Sequence, residues 1–413
     1  FLSRLYNTFE FIGTLFIPKN KEKFHDITEF DSGWVKHRLN FAIQESKTNS
    51  VFVEIEGGYS KSKPNKVFSF SKGTENNKGS KLEIPWEDRL NEETVDMVAD
   101  FSKIIIDLNE ESNKDKLKEL RYKIRGLEIK DDLTDDDKEK LSKLKQEYKE
   151  LNTNGFEFIH EYDAIQFLSE NLEKYKDRKF KIKGDIQYNS WQGRVFRKFS
   201  IRSMEIVSNE TPSQLRATMD IFFTKDSLDE KDFKEEKKLY IDGYVLSYDN
   251  QIKKDRFFPQ QLIINAQKLD FDNEMHMKRL ELLKSFFKVK GKGVYHLQWE
   301  VNIFRGADEI EFTEENLTAS QKEMIALGLN TLDDFKPKGG LLGESREENR
   351  LIKPILKKKN DANNFTEGAI ESTYEVEDLV YVSEEPKNKE KQEKEETKPT
   401  EEEKEAAFDD LFS

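Results

Sequence analysis

Apolar and polar residues alternate with a period of two through much of the first 310 residues, the spacing of strands that bury one face. Phe11, Gly13, Leu15 and Ile17 alternate with Ile12, Thr14 and Phe16. Val35, His37, Leu39, Phe41 and Ile43 alternate with Lys36, Arg38, Asn40 and Gln44. Val51, Val53 and Ile55 predict a third strand, and residues 67–70 a fourth. Together they read as a small antiparallel β-domain ending near residue 85, followed by a helix over 92–108.

The period changes over residues 114–151. Leu117, Leu120, Ile124 and Leu127 are spaced three and four apart, and so are Leu141, Leu144, Tyr148 and Leu151. The acidic loop between them, 131–137, carries helix N-cap chemistry. This predicts an antiparallel helical hairpin of coiled-coil type projecting from the β-domain. Another helix, 160–175, leads into a second β-region. There Phe180, Ile182, Gly184, Ile186 and Tyr188 alternate with Lys179, Lys181, Lys183, Asp185 and Gln187. A turn at 189–193 reverses the chain into 195–206, and strands at 215–223, 239–248, 256–265 and 294–303 continue the sheet. A helix is expected over 280–287, a capping box at Thr318–Gln321 opens a short helix, and 374–382 reads as an isolated strand.

The two β-regions look like copies. Residues 11–15 match 182–186, each a strand with a central Gly, and Ile241 to Val245 repeats the motif around Gly243. A strand Gly marks a bend or bulge, as a strand coiling round a small barrel requires. The fold class expected is therefore mainly β with helical additions: tandem OB-like antiparallel barrels, a helical hairpin, and a disordered acidic C-terminal tail.

The chain has no Cys, which excludes disulfides, thiol catalysis and thiolate metal sites. No apolar run reaches the roughly 18 residues that span a bilayer. The first stretch, 1–17, is interrupted by Arg4, Asn7 and Glu10, unlike a secretory leader. His160-Glu161 lacks the second His of a zinc protease, and Lys290-Gly291-Lys292-Gly293 lacks the spacing of a phosphate loop. His37 and His296 read as ordinary strand residues. No catalytic residue, metal or cofactor is expected.

The net charge of −14 is unevenly spread. Residues 178–207 hold eight basic residues against two acids. Lys181, Lys183, Arg194, Arg197, Lys198 and Arg202 lie there beside Trp191 and Phe196, with Arg194, Phe196, Lys198 and Arg202 expected on one face. Phosphates pair with such cations, and unstacked bases lie on such rings. Tyr244 in a row with Tyr240 and Tyr248, the turn bearing Arg256 and Phe257, and the first region's Trp34 and Arg38 extend the candidate DNA-binding set. The solvated tail, 384–413, carries 12 acids and 6 bases yet ends in Phe408, Asp409, Asp410, Leu411 and Phe412, an apolar anchor for a partner's pocket.

Basic, aromatic barrel strands joined to an acidic tail with an aromatic tip resemble the single-stranded-DNA-binding proteins of bacteria and tailed phages. The resemblance covers 178–265 and 401–413, although this tail ends Leu411-Phe412-Ser413 rather than on Phe. It implies sequence-tolerant binding of single-stranded DNA in replication or recombination. It also implies recruitment of replication proteins (polymerase, helicase or primase) through the tail, and a cytoplasmic location, the host's if the chain is encoded by a bacteriophage. No membrane partner is expected. The domains expected are 1–110 (OB-like), 111–155 (hairpin arm), 156–310 (OB-like, DNA-binding), 311–383 (irregular) and 384–413 (tail). An alternative is a virion or assembly protein built for protein contacts; a third is a nuclease or other metal-dependent enzyme using unmarked carboxylates.

Overall fold

A computed structural model describes residues 7–191, 194–250, 252–307, 309–310, 312–337, 341–342, 345–356 and 369–380. The chain is mainly β, with a large mixed sheet and several helices. Strands β1 (Thr8–Phe16), β2 (Trp34–Ser46) and β3 (Asn49–Ser60) come first. An insertion follows: the hairpin β4 (Lys66–Phe70) and β5 (Lys81–Pro85), then helices α1 (Glu111–Glu128) and α2 (Asp135–Leu151). After it come α3 (Glu161–Asn171), β6 (Lys179–Trp191) and β7 (Arg194–Val207).

These strands close on themselves. β1 pairs with β2 through Thr14↔Gln44, β2 runs antiparallel to β3, and β3 meets β7 in parallel at Glu54↔Ser200. β7 pairs with β6, and β6 returns to β1 with Phe11 opposite Ile182. Inward alternation gives the ring its core, with Phe11, Leu39, Phe41, Val53, Ile55, Phe180 and Ile182 buried, and α3 adding Ala164, Ile165 and Leu168.

The same order recurs downstream in β8 (Gln214–Phe223), β9 (Lys238–Asp249), β10 (Lys254–Asn265), α4 (Glu274–Ser285), β11 (Tyr295–Gly306) and β12 (Arg346–Pro354). β8 meets β9 at Phe222↔Tyr244, β9 pairs with β10, and β10 runs parallel to β12 at Leu262↔Asn349. β12 pairs with β11, and β11 with β8. Trp299 is fully buried in this second core, stacked on Phe287 at 5.2 Å. The rings join where β1 pairs with β8 and where Asn49 meets Gly306.

This pairing differs from the sequence reading at one decisive place. The segments 11–15 and 182–186 are not the first strands of two copies; they are antiparallel partners within one ring. The expected boundary at 155/156 therefore falls inside the first ring, whose last strands are β6 and β7. A strand Gly is required wherever neighbouring backbones cross closely, so the motif recurs within a ring as readily as between rings. A Cβ on Gly184 would stand 1.8 Å from the Ser200 carbonyl oxygen, and one on Gly13 2.1 Å from that of Gln44. Gly184→Ala should accordingly cost about 1–3 kcal/mol through overpacking, read as a lower denaturant midpoint.

Other departures are local. The helix expected over 92–108 stops at Met97, and Ile104–Asp107 is a strand beside β7, as its β-branched run favours. Of the strand expected over 374–382, residues 374–380 form none, since Val376–Leu379 is a 3-10 turn and the short strand β13 (Ile370–Glu371) precedes it; 381–382 lie outside the described residues. The hairpin forms with Thr134 capping α2, but it does not simply project. α1 buries Leu117, Leu120, Ile124 and Leu127, and Lys114 reaches Glu205 at 3.4 Å, so the helix is tied to β7. The capping box at Thr318 forms, with its N–H 2.8 Å from Gln321 Oε1. Among the described residues, no helix is long and apolar enough to cross a membrane.

A histidine pair sits where α3 covers the first ring. His25 Nε2 lies 3.0 Å from His37 Nδ1. Burial holds both imidazoles below the ordinary histidine value, with Asp26 opposing at His25 and His25 adding to the effect at His37. Burial also lowers His160, against Glu161 and Asp163. With folded values depressed, the unfolded chain binds more protons below its pKa of about 6.5. This contribution to stability is whole above about pH 6.5 and is lost as pH falls through the folded values. Urea midpoints should decline on acidification from about pH 7 to about pH 5, and His37→Gln should flatten that decline.

Candidate nucleic-acid interface

The outward residues of β2 are Trp34, Lys36, Arg38 and Asn40, set there by the burial of Val35, His37, Leu39 and Phe41 between them. Trp34 is 40% exposed. Lys36 has no ion pair among the described residues, and its ammonium lies 6.0 Å from the exposed Phe30 ring. Arg38 is held only loosely by Asp26, at 3.8 Å, and its Nε is buried with no hydrogen-bond partner among the described residues. The rest of its side chain is 40% exposed, and an open guanidinium edge can pair with a phosphate oxygen.

The same face continues onto β3 and β7. Phe52, Glu54 and Glu56 point outward from β3, and Phe196 and Lys198 from β7, with Phe196 50% exposed. Arg194 is exposed, with no ion pair among the described residues. Lys198 reaches Glu54 at 2.6 Å and Glu56 at 3.0 Å. Burial, with Lys36 and Arg38 nearby, pushes its ammonium down to about 8. The two carboxylates act the other way, and at hydrogen-bond distance they favour the charged form. At the far end Arg305 lies over Phe52 at 5.5 Å. The parallel register places Phe196 near the Ser50 end of β3, while Trp34 lies opposite Ser60. The strip between them is about 30 Å long at the usual rise per residue.

This geometry sorts the residues expected from sequence. Trp34, Arg38, Arg194, Phe196 and Lys198, assigned there to two different barrels, share one face. Others are engaged elsewhere. Lys181 pairs across the strand with Glu205, and Lys183 with Glu10 at 2.8 Å. Arg202 meets Asp185 at 3.0 Å and Glu161 at 3.4 Å beside a register shift in β7, which takes it off the shared face. Arg197 is 9% exposed, bonded to Glu347 and Asn349 of β12 and stacked over Phe199 at 5.0 Å. It ties the rings together and is not free for phosphate. Arg256 pairs with the buried Asp249 at 3.3 Å. Tyr244 and Phe257 belong to an apolar cluster under Tyr374 and Leu379. Trp191 ends β6 opposite Arg194, but its side chain lies outside the described residues, as do Phe408, Asp409, Asp410, Leu411 and Phe412.

Phe30, Phe52 and Arg305 were missed. Phe52 was legible, since period two from Val51 and Val53 turns it outward. Arg305 is brought to the face by a strand pairing some 250 residues distant in sequence, at Asn49↔Gly306, which no local pattern announces.

No protein family and no curated protein matches this chain. Among solved structures, a deletion mutant of the single-stranded DNA binding protein from Thermus aquaticus is similar at 9% sequence identity, over 74% of this chain and 87% of that one, with a TM-score of 0.23. At that score too little backbone superposes for either structure to inform the other.

Proposed function

We propose that this protein binds single-stranded DNA with little sequence preference, across the outward face of β2, β3 and β7, and that each closed ring is an OB-type barrel. The observation that carries the reading is the position of the open aromatic and cationic side chains. Each ring runs in the order first, second, third, fifth and fourth strand before returning to the first, with the third and fifth parallel. In an OB barrel the oligonucleotide lies over strands two and three, between the loop joining strands one and two and the loop joining four and five. In the first ring those are β2, β3 and the connection from β6 to β7, at whose strand ends Trp191 faces Arg194. Trp34, Lys36, Arg38, Arg194 and Phe196 lie on or beside that path. Rings stack bases without reading them, and cations pair phosphates, so the site tolerates sequence.

A role in replication or recombination, and partner recruitment through Phe408, Leu411 and Phe412, complete the proposal. The protein acts by binding rather than by catalysis. Anisotropy titration with labelled oligo-dT, oligo-dA and duplex tests it: both single strands should bind with affinities within about tenfold of each other and well above duplex. Intact oligonucleotide after incubation with Mg²⁺ is expected; cleavage would favour the nuclease alternative.

One observation favours the assembly-protein reading. On the insertion, Phe68 is 75% and Phe101 74% exposed, with Phe70 5.9 Å from Phe101. Exposed aromatic patches mark protein contacts. Absence of oligonucleotide binding with self-association of the pure protein would decide for it.

A further inference from the structure

The second ring has the counterpart of this face, and the chain itself covers it. The outward side of β9 and β10 carries Tyr244, Leu246 and Phe257, beside Phe222 of β8. Residues 369–380 lie over them. β13 pairs with β11, Ile370 opposite His296, and the Ser372 N–H donates to the Val294 carbonyl at 2.7 Å. Tyr374 then stands edge-on to Phe257 at 4.9 Å and to Phe222 at 5.7 Å. Leu379 closes the cluster and is buried.

The covering segment has the chemistry of a nucleotide chain. From Ile370 to Val380 it holds Glu371, Glu375, Glu377 and Asp378 and no basic residue, around one inserted ring, Tyr374. Lysines flank the covered face. Lys253 and Lys254 precede Asp255, whose charge bears on Tyr374. Lys290 and Lys292 precede Gly293, against which the Glu371 carboxylate lies. None of the four has an ion pair among the described residues. Aromatic floor and cationic rim are what a single strand uses, and here an acidic segment with one aromatic insertion occupies them.

We infer that residues 369–380 are an occupant in cis of a second single-strand-binding face, displaced when a strand long enough to cross both rings is bound. The inference rests on the proposed function, since the displacing ligand is the strand held by the first ring. A site filled by its own chain binds with an apparent affinity reduced by the fraction of time it is open.

Two measurements on the full-length protein test it. Hydrogen exchange followed by mass spectrometry should show the amides of 369–380, Ser372 among them, exchanging about tenfold faster at saturating long oligo-dT. A short oligo-dT that fills only the first face should leave them unchanged. Equal or slower exchange with the long oligonucleotide would overturn the inference. The double variant Tyr374→Ser with Leu379→Ser should bind long oligo-dT about tenfold more tightly and occlude more nucleotides per protein. A folded variant that matches the wild type in both would overturn the inference and leave the first-ring reading standing. If neither protein binds oligo-dT, both readings fall. If the variant does not fold, the exchange result on the wild type decides.

Discussion

Replacing Arg197 with alanine is expected to cost about 1–3 kcal/mol of folding stability, through lost packing and hydrogen bonds of a side chain that is itself buried while its partner carboxylate, Glu347, is half exposed. The guanidinium leaves β7 of the first ring and meets Glu347 and Asn349 on β12 of the second. It also covers Phe199 and lies by Tyr188, whose hydroxyl burial pushes up to about 12 against the opposing Arg197 charge. The substitution leaves Asn349 without that donor and opens a cavity over Phe199. Arg197→Met keeps the stem over the ring, so it should recover part of the loss. Guanidinium unfolding of the three proteins measures this. A loss below about 1 kcal/mol, with oligonucleotide affinity falling at unchanged stability, would instead make Arg197 a phosphate ligand.

Trp34→Ala should weaken oligo-dT binding by about 1–3 kcal/mol, the worth of one stacked base. Trp34 is well exposed at the start of β2, so folding should be almost unaffected. Lys36→Ala with Arg38→Ala should also weaken binding, but mainly at low salt. It should flatten the dependence of log affinity on log salt by roughly 0.7 for each phosphate no longer neutralised. The matching control is Lys181→Ala with Lys183→Ala. These lysines are held by Glu205 and Glu10 on another side of the ring. Affinity within about twofold of wild type is expected for them. If the control loses affinity and the Trp34 variant does not, the strand runs over β1 and β6 and the face is misassigned.

Strands were legible because one face of each is buried, and that leaves its mark every second residue. β2, β6 and β9 could be read almost to their ends. Ring membership was not legible, because pairing joins residues far apart in sequence. The Gly at position 184 announces a close backbone approach but not whose backbone approaches. The insertion from β4 to α2 also separates β3 from β6, and so hides that they belong to one ring. For the site, the residue types were readable and their engagement was not. Lys181, Lys183, Arg197 and Arg202 look like free cations in a basic run. Their partners Glu205, Glu10, Glu347 and Glu161 come from other strands or from α3. Likewise Phe257 reads as an exposed aromatic until the fold lays Tyr374 across it.

The most direct test of the central claim is an equilibrium titration of labelled oligo-dT by the wild-type protein over a range of salt concentrations. Saturable binding that quenches tryptophan fluorescence is expected. Log affinity should fall linearly with log salt, with a slope of about −2, as expected for three phosphates paired by Lys36, Arg38 and Arg194. No binding, or binding indifferent to salt, would contradict it.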